Sequence, residues 1–158
     1  MAVGVTGASR FTYMDELLRD LGGIPPGRVR LKPTPGTATI RDLIRYQKKD
    51  GRVYELVDGT LVAKPVAFDE STIAVRIGGI LERFVTEADR GTVAGEQGPM
   101  KLMPGLARGP DVSFVSWAQI PNRGAPRSPV LDLFPDLAVE VLSKGNTRRE
   151  IARKRKEY

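Results

Sequence analysis

The stretch Pro135-Asp136-Leu137-Ala138-Val139-Glu140-Val141-Leu142-Ser143 decides the fold. From Leu137 to Leu142 it is apolar on both faces of an extended chain, the pattern of a strand in the middle of a sheet. A single ionisable side chain interrupts it. An ionised Glu140 inside such a strand is costly unless it is paired or binds a metal. The segment therefore predicts a central strand and marks Glu140 as a candidate site residue, with an ion pair to Arg as its plainer alternative.

Upstream, Asp111–Val115 reads as a second strand, entered through Pro110. Strand alternation puts Asp111 on one face with Ser113 and Val115, while Val112 and Phe114 point the other way. Downstream, Lys144-Gly145-Asn146 turns the chain into a charged helix over Thr147–Tyr158. Its large apolar residues are Ile151 and Tyr158, and Lys154 lies between them at helical spacing, on the inward stripe. A Lys aimed at the sheet that carries Glu140 would meet it there. Two carboxylates on neighbouring strands can hold Mg²⁺, and a nearby Lys can position water or stabilise charge on phosphoryl oxygens.

Farther out, Val53–Val57 and Thr60–Ala63 around Asp58-Gly59 read as a hairpin. The clearest helix spans Asp69–Ala88, with Ile73, Ala74, Ile77, Ile80, Leu81, Phe84 and Val85 as its expected inward stripe. Gly91–Ala94 and Met100–Met103 are short strand candidates, and a Pro-, Arg- and Gly-rich loop runs from about Pro121 to Pro129. Toward the N-terminus, helices are expected over Tyr13–Leu21 and from about Thr39 to Lys48, with Thr37 or Thr39 as N-cap. Residues 1–50 read as a helical extension and linker, and 51–158 as the main domain.

The chain of 158 residues contains no His and no Cys, which removes the usual hydrolase triads, thiol nucleophiles and His- or Cys-ligated zinc sites. Chemistry must then rest on carboxylates, Lys, Arg, Tyr, hydroxyls and a hard oxygen-bound metal. The formal charge of +6 favours a polyanionic partner. No segment approaches the roughly 18 apolar residues of a membrane span. The start lacks a secretory pattern, so the expected compartment is the cytoplasm.

These motifs, in this order, resemble the Uma-type family described as "putative restriction endonucleases", within the PD-(D/E)XK nuclease superfamily. The resemblance runs from about Tyr54 to Tyr158. Tyr54-Glu55-Leu56-Val57-Asp58-Gly59 is similar to the family's opening hairpin, and Pro110-Asp111-Val112-Ser113-Phe114-Val115 to its PD strand. Pro135–Ser143 is similar to its PDLAVEVLS strand, and Arg153-Lys154 through Glu157-Tyr158 to its Lys-bearing helix.

The resemblance implies an α/β (α+β) fold of restriction-endonuclease type, a mixed central sheet flanked by helices. It also implies Mg²⁺- or Mn²⁺-dependent hydrolysis of DNA. Asp111 and Glu140 would be metal ligands and Lys154 the catalytic lysine, moved to the helix from the strand position that Leu142 occupies. Glu55 and Glu70 are candidates for an additional acid. Making two cuts in a duplex often calls for a dimer, so a homodimer is one expected arrangement. Many relatives carry a His where this chain has Asp69-Glu70, and such domains continue into further strands beyond the Tyr158 position. A C-terminally shortened domain with an exposed sheet edge is therefore expected, and a DNA-binding remnant without catalysis is the alternative function.

Each residue also has a plainer role. Asp111 suits a turn after proline, Lys154 could extend its ammonium off a terminal helix, and Glu55 could be a solvated hairpin charge. Glu70 suits the positive end of a helix. Arg148, Arg149 and Lys156 are either a solvated face or phosphate contacts.

Overall fold

The computed structural model describes residues 10–65, 67–124 and 127–158. Residues 1–9 of the N-terminal extension and Ala125-Pro126 of the Pro-rich loop lie outside the described residues. The order of elements is α1 (Met14–Asp20), β1 (Val29–Arg30), α2 (Ile40–Asp50), β2 (Tyr54–Val57), β3 (Thr60–Ala63), α3 (Phe68–Glu87), β4 (Gly91–Gly95), β5 (Met100–Met103), β6 (Leu106–Arg108), β7 (Val112–Ser116), β8 (Leu137–Val139) and α4 (Arg148–Glu157). The architecture is α+β. Five strands form one sheet in the order β1-β3-β2-β6-β5, and three form another in the order β4-β7-β8. Every ladder is antiparallel. Met100 and Leu131 add an isolated parallel bridge.

The hairpin of β2 and β3 anchors the larger sheet. Asp58 and Gly59 turn it with φ of 47° and 70°, the doubly left-handed turn that matches strand twist. A Cβ at Gly59 would stand 2.6 Å from the carbonyl oxygen of Gly36, so the linker's close passage also requires glycine. All four residues of each hairpin strand are buried, because both faces of the sheet are covered. On one face Leu43 of α2 packs with Tyr54, Leu56 and Leu61. On the other, Val57, Val62, Met100 and Leu106 pack with Val115 of the second sheet and with Leu17, Leu21 and Ile24 around α1. Glu55 projects toward this second, interior side.

Two caps follow their sequence signals: Thr39 before α2 and Thr147 before α4 each form a reciprocal capping box, with Asp42 and Glu150 respectively. Glu150 has a second role. Arg28 binds both of its oxygens, at 2.6 and 2.9 Å, and donates to the carbonyl oxygens of Ala63 and Gly145. One guanidinium thus ties the segment before β1 to the start of α4.

Three expectations are corrected. First, Leu137–Leu142 does not make a central strand: β8 stops at Val139 and, among the described residues, is an edge strand paired only with β7. It stops because the Val141 N–H is taken by the Asp111 carboxylate at 2.6 Å. Second, the apolar stripe of α3 is only partly inward. Val85 is buried, whereas Ile80 and Phe84 are 65% and 60% exposed and Ile73 also faces out. The sheet beneath α3 has three short strands, and Gly78 sits directly over Val112, so one narrow line of packing serves the helix. Third, β6 forms between the expected strands Met100–Met103 and Asp111–Val115, where no element is expected, across a turn at Gly105 from β5.

Candidate active site

The site lies where the two sheets meet. Val112 faces Val139 and Ser113 faces Ala138 across β7 and β8. One further step of the same register places Asp111 opposite Glu140, and directly opposed side chains have Cβ atoms roughly 5 Å apart. In the larger sheet Leu56 faces Ala107, so the same step sets Glu55 opposite Arg108. Strand pairing therefore delivers three carboxylates to one interior region. α4 brings Lys154 to them, as the spacing between Ile151 and Tyr158 predicts.

Lys154 is buried at 3% exposure. Its Nζ donates to Glu140 Oε2 at 2.9 Å and to Glu55 Oε1 at 3.2 Å. The Tyr158 hydroxyl donates to the other oxygen of Glu140 at 2.7 Å. Arg108 donates to Glu55 Oε2 at 2.8 Å and to Glu157 at 2.8 and 2.5 Å. Glu157 also receives Arg153, which reaches Asp58 at 2.7 Å. Glu55 is thus no solvated hairpin charge: it is fully buried between two cations. Lys64, the residue after β3, donates to Asp111 Oδ1 at 2.7 Å and to the Gly109 carbonyl at 2.6 Å.

The protonation pattern follows from these partners. Burial pushes the Glu55 carboxyl up, but Lys154 and Arg108 outweigh it and hold it at about 2. For Glu140 burial wins over the attraction of Lys154, aided by repulsion from Glu55, and its carboxyl is raised. Burial and the two nearby carboxylates, Glu55 and Glu140, raise the Tyr158 hydroxyl. Burial opposes the charge on Lys64, yet Glu55, Glu140 and Asp111 together raise its ammonium. Lys64 therefore feels all three carboxylates.

Glu70 stands apart from this ion-pair cluster. It lines a cavity of about 350 Å³ between α3 and β4, which it shares with Glu96 and Asp111. Its Oε2 is buried without a hydrogen-bond partner among the described residues. Arg148, Arg149 and Lys156 are exposed on α4 and do not join the site.

A family model, Uma2, described as "Putative restriction endonuclease", matches residues 40–158. The chain belongs to the Uma2 family. No curated protein matches it. Among solved structures, it is similar to the crystal structure of a putative nuclease belonging to DUF820 from Anabaena variabilis ATCC 29413. The identity is 18%, the TM-score 0.55, and the likeness covers 64% of this chain and 56% of that one. That likeness is one of fold. The Uma2-family chain described here spans little more than half the length of that structure's chain.

A family of this kind raises the question of a divalent metal. Among the described residues no group of three or more acids is arranged to hold one. Mg²⁺, however, commonly takes one or two carboxylates and completes its shell with water. Asp111 and Glu140 fit that smaller demand, with the orphaned oxygen of Glu70 in the cavity beside Asp111. To serve, Asp111 would have to share or release Lys64 or the Val141 N–H, and Glu140 the bond from Lys154 or Tyr158.

Lys64, Arg108 and Tyr158 were not singled out by sequence reasoning. A signal existed for the first two. Each is a cation at the end of a short, mostly apolar strand, where solvent is not on offer and an acid must be near.

Proposed function

We propose that this chain is a metal-dependent DNA endonuclease whose site is Asp111, Glu140 and Lys154. What supports the reading is the register of β7 and β8, whose terminal pair Val112 with Val139 leads directly into Asp111 and Glu140, together with the bond from Lys154 of α4 to Glu140. Family membership supports phosphodiester hydrolysis as the reaction class. Asp111 and Glu140 would hold Mg²⁺ or Mn²⁺, which supplies a Lewis acid for the scissile phosphate and lowers the pKa of water.

The chain's own residues do the rest. Lys154 places a positive charge beside the ligand carboxylate, where it can stabilise charge on phosphoryl oxygens. Glu55 is a positioning residue: it holds the Lys154 ammonium from the far side, and Arg108 fixes Glu55. Tyr158 fixes the second oxygen of Glu140. Glu70 is a further acid at the rim, free to accept from a bound water. A DNA substrate accords with the expected cytoplasmic location, and cutting both strands of a duplex would call for two copies.

One observation favours a second reading, a DNA-binding remnant without catalysis. Both oxygens of Asp111 and both of Glu140 already have partners from the chain itself. A single comparison separates the two. Plasmid DNA is incubated with Mn²⁺ and the wild type, Glu140→Ala or Asp111→Ala. Cleavage by the wild type alone supports the enzyme. Equal cleavage by all three rejects this site, and no cleavage with no calorimetric Mn²⁺ binding supports the remnant.

A further inference from the structure

A concentration of positive charge without an ion-paired acid among the described residues lies away from the carboxylates, on the outer face of α2. Arg41, Arg45 and Lys48 follow one another at spacings of four and three, so they share one face of the helix. Lys49 and Arg52 flank that face. All five are exposed, and among the described residues none of them makes an ion pair. Other cations are bound to acids, among them Arg28, Arg30, Lys64, Arg108, Arg153 and Lys154, while Arg148, Arg149, Arg155 and Lys156 of α4 form a second exposed group without an ion pair among the described residues.

Helix stability does not account for the ridge. Lys48 and Lys49 lie in the last turn, where a cation favours the helix dipole, but Arg41 lies in the first turn, where it opposes it. Nor do neighbouring acids dilute the charge. Asp42 is held in the cap of its own helix, and Asp50 is bound by Arg30 and Tyr54. The opposite face of α2 is fixed: Leu43 is fully buried against β2, the strand that carries Glu55. The ridge is therefore rigidly placed relative to the site.

It is also connected to it. A hollow beside the end of α2 is lined by Lys48, Arg52 and Gln97. Arg52 lines the next hollow too, together with Lys64 and Glu96. Glu96 in turn lines the cavity that holds Asp111 and Glu70. Three neighbouring hollows thus share wall residues, Arg52 and then Glu96, between Lys48 and Asp111.

We propose that the outer face of α2, with Arg52 behind it, binds the phosphate backbone of double-stranded DNA and leads it to Asp111. Arg41 and Lys48 are roughly 10 Å apart along the helix axis, the span of about three phosphates at 3.4 Å of rise each. The choice of DNA rests on the nuclease reading. The binding itself, with phosphates held by exposed Arg and Lys, does not require catalysis.

The test is fluorescence anisotropy of a labelled 20-base-pair duplex in EDTA, titrated with the full chain across a KCl series. Wild type is compared with R41Q/R45Q/K48Q/R52Q and with an equal removal of charge from α4, R148Q/R149Q/R155Q/K156Q. The α2 variant should lose at least tenfold in affinity at 50 mM KCl. Its salt slope should become shallower by about 0.9 for each phosphate that is no longer neutralised, and the α4 variant should change by less than that single step. Single substitutions Arg41→Gln, Arg45→Gln and Lys48→Gln, each checked for an unchanged melting temperature, should each flatten the slope by about one such step. An unchanged slope, an equal effect in the α4 variant, or no duplex binding by the wild type would overturn the surface. Adding Mn²⁺ and scoring cleavage keeps the two readings apart. Binding that depends on α2 without cleavage supports the surface and ends the enzyme. Cleavage with binding indifferent to α2 overturns the surface and leaves the enzyme standing.

Discussion

Lys154 Nζ stands 2.9 Å from Glu140 Oε2, joining the fourth helix to the chain just beyond the edge strand β8. The same ammonium serves Glu55, so its loss leaves one buried and one half-buried carboxylate each short of a cation. Removing one partner of a buried ion pair typically costs about 3–5 kcal/mol. Lys154→Ala should lower the free energy of unfolding in urea at pH 7 by that order. A loss below about 1 kcal/mol would show that the bonds to Glu140 and Glu55 do not hold α4.

Lys64 occupies Asp111 Oδ1 at 2.7 Å, so it competes with any cation brought to that oxygen. Lys64→Met should tighten Mn²⁺ binding, read by calorimetry at fixed pH, by about tenfold, the 1.4 kcal/mol of one modest charged hydrogen bond. Weaker binding in the variant would mean that Lys64 organises the carboxylates rather than blocking them.

Glu55 makes stability depend on acid. Burial opposes its charge, but Lys154 and Arg108 hold its carboxyl at about 2, below the ordinary 4.5. A folded value below the unfolded one means that stability is complete above about 4.5 and is lost as pH falls toward 2. The difference is on the order of 3 kcal/mol. Urea midpoints measured from pH 5 to pH 2 should fall steeply in the wild type and less steeply in Glu55→Gln. Parallel curves would remove Glu55 from the acid transition.

Arg28→Met should be severe although Arg28 is remote from the carboxylates. It strips Glu150, nearly buried, of both guanidinium bonds, and α4 begins with that residue in its cap. A cost of about 3 kcal/mol is expected. Hydrogen exchange should report it first in residues 148–157. Uniform loss of protection across the fold would argue against a local hinge on Arg28.

The outward residues of α3 predict the opposite. Ile80→Asp and Phe84→Asp should change stability by no more than about 0.5 kcal/mol, since surface sites away from packed features are tolerant. Thermal melts decide this, and a large loss in either variant would mean that these side chains are packed after all.

Much of this was legible in residue spacing. Ile151, Lys154 and Tyr158 at three and four residues apart place the Lys inward, and the structure has it there. Asp58-Gly59 between two apolar runs specifies its hairpin, and Thr147 with Glu150 specifies the start of α4. What spacing could not supply is which strands are neighbours. Leu137–Leu142 has the composition of a central strand, yet it pairs on one side only, because sheet order is set by long-range packing and not by local pattern. The stripe on α3 misleads for the same reason: periodicity states that a helix has an apolar face, not how wide a surface awaits it. Glu55 was the hardest to read. Its partner Arg108 lies in a strand too short to show alternation; a cation closing an apolar strand signals that an acid is near, but not which one.

The chain of ion pairs from Asp58 through Arg153, Glu157, Arg108, Glu55 and Lys154 to Glu140 has a consequence for descent. Each interior charge there is balanced by neighbours rather than by water, so a lone change of sign strands its partner, and the intermediate sequence is the one that fails. Such positions should drift in concert. In an alignment of Uma2 sequences, the residues at 55, 108 and 157 should change as a set, with loss of the arginine accompanied by loss of an acid, while the exposed cations of α4 vary independently of one another.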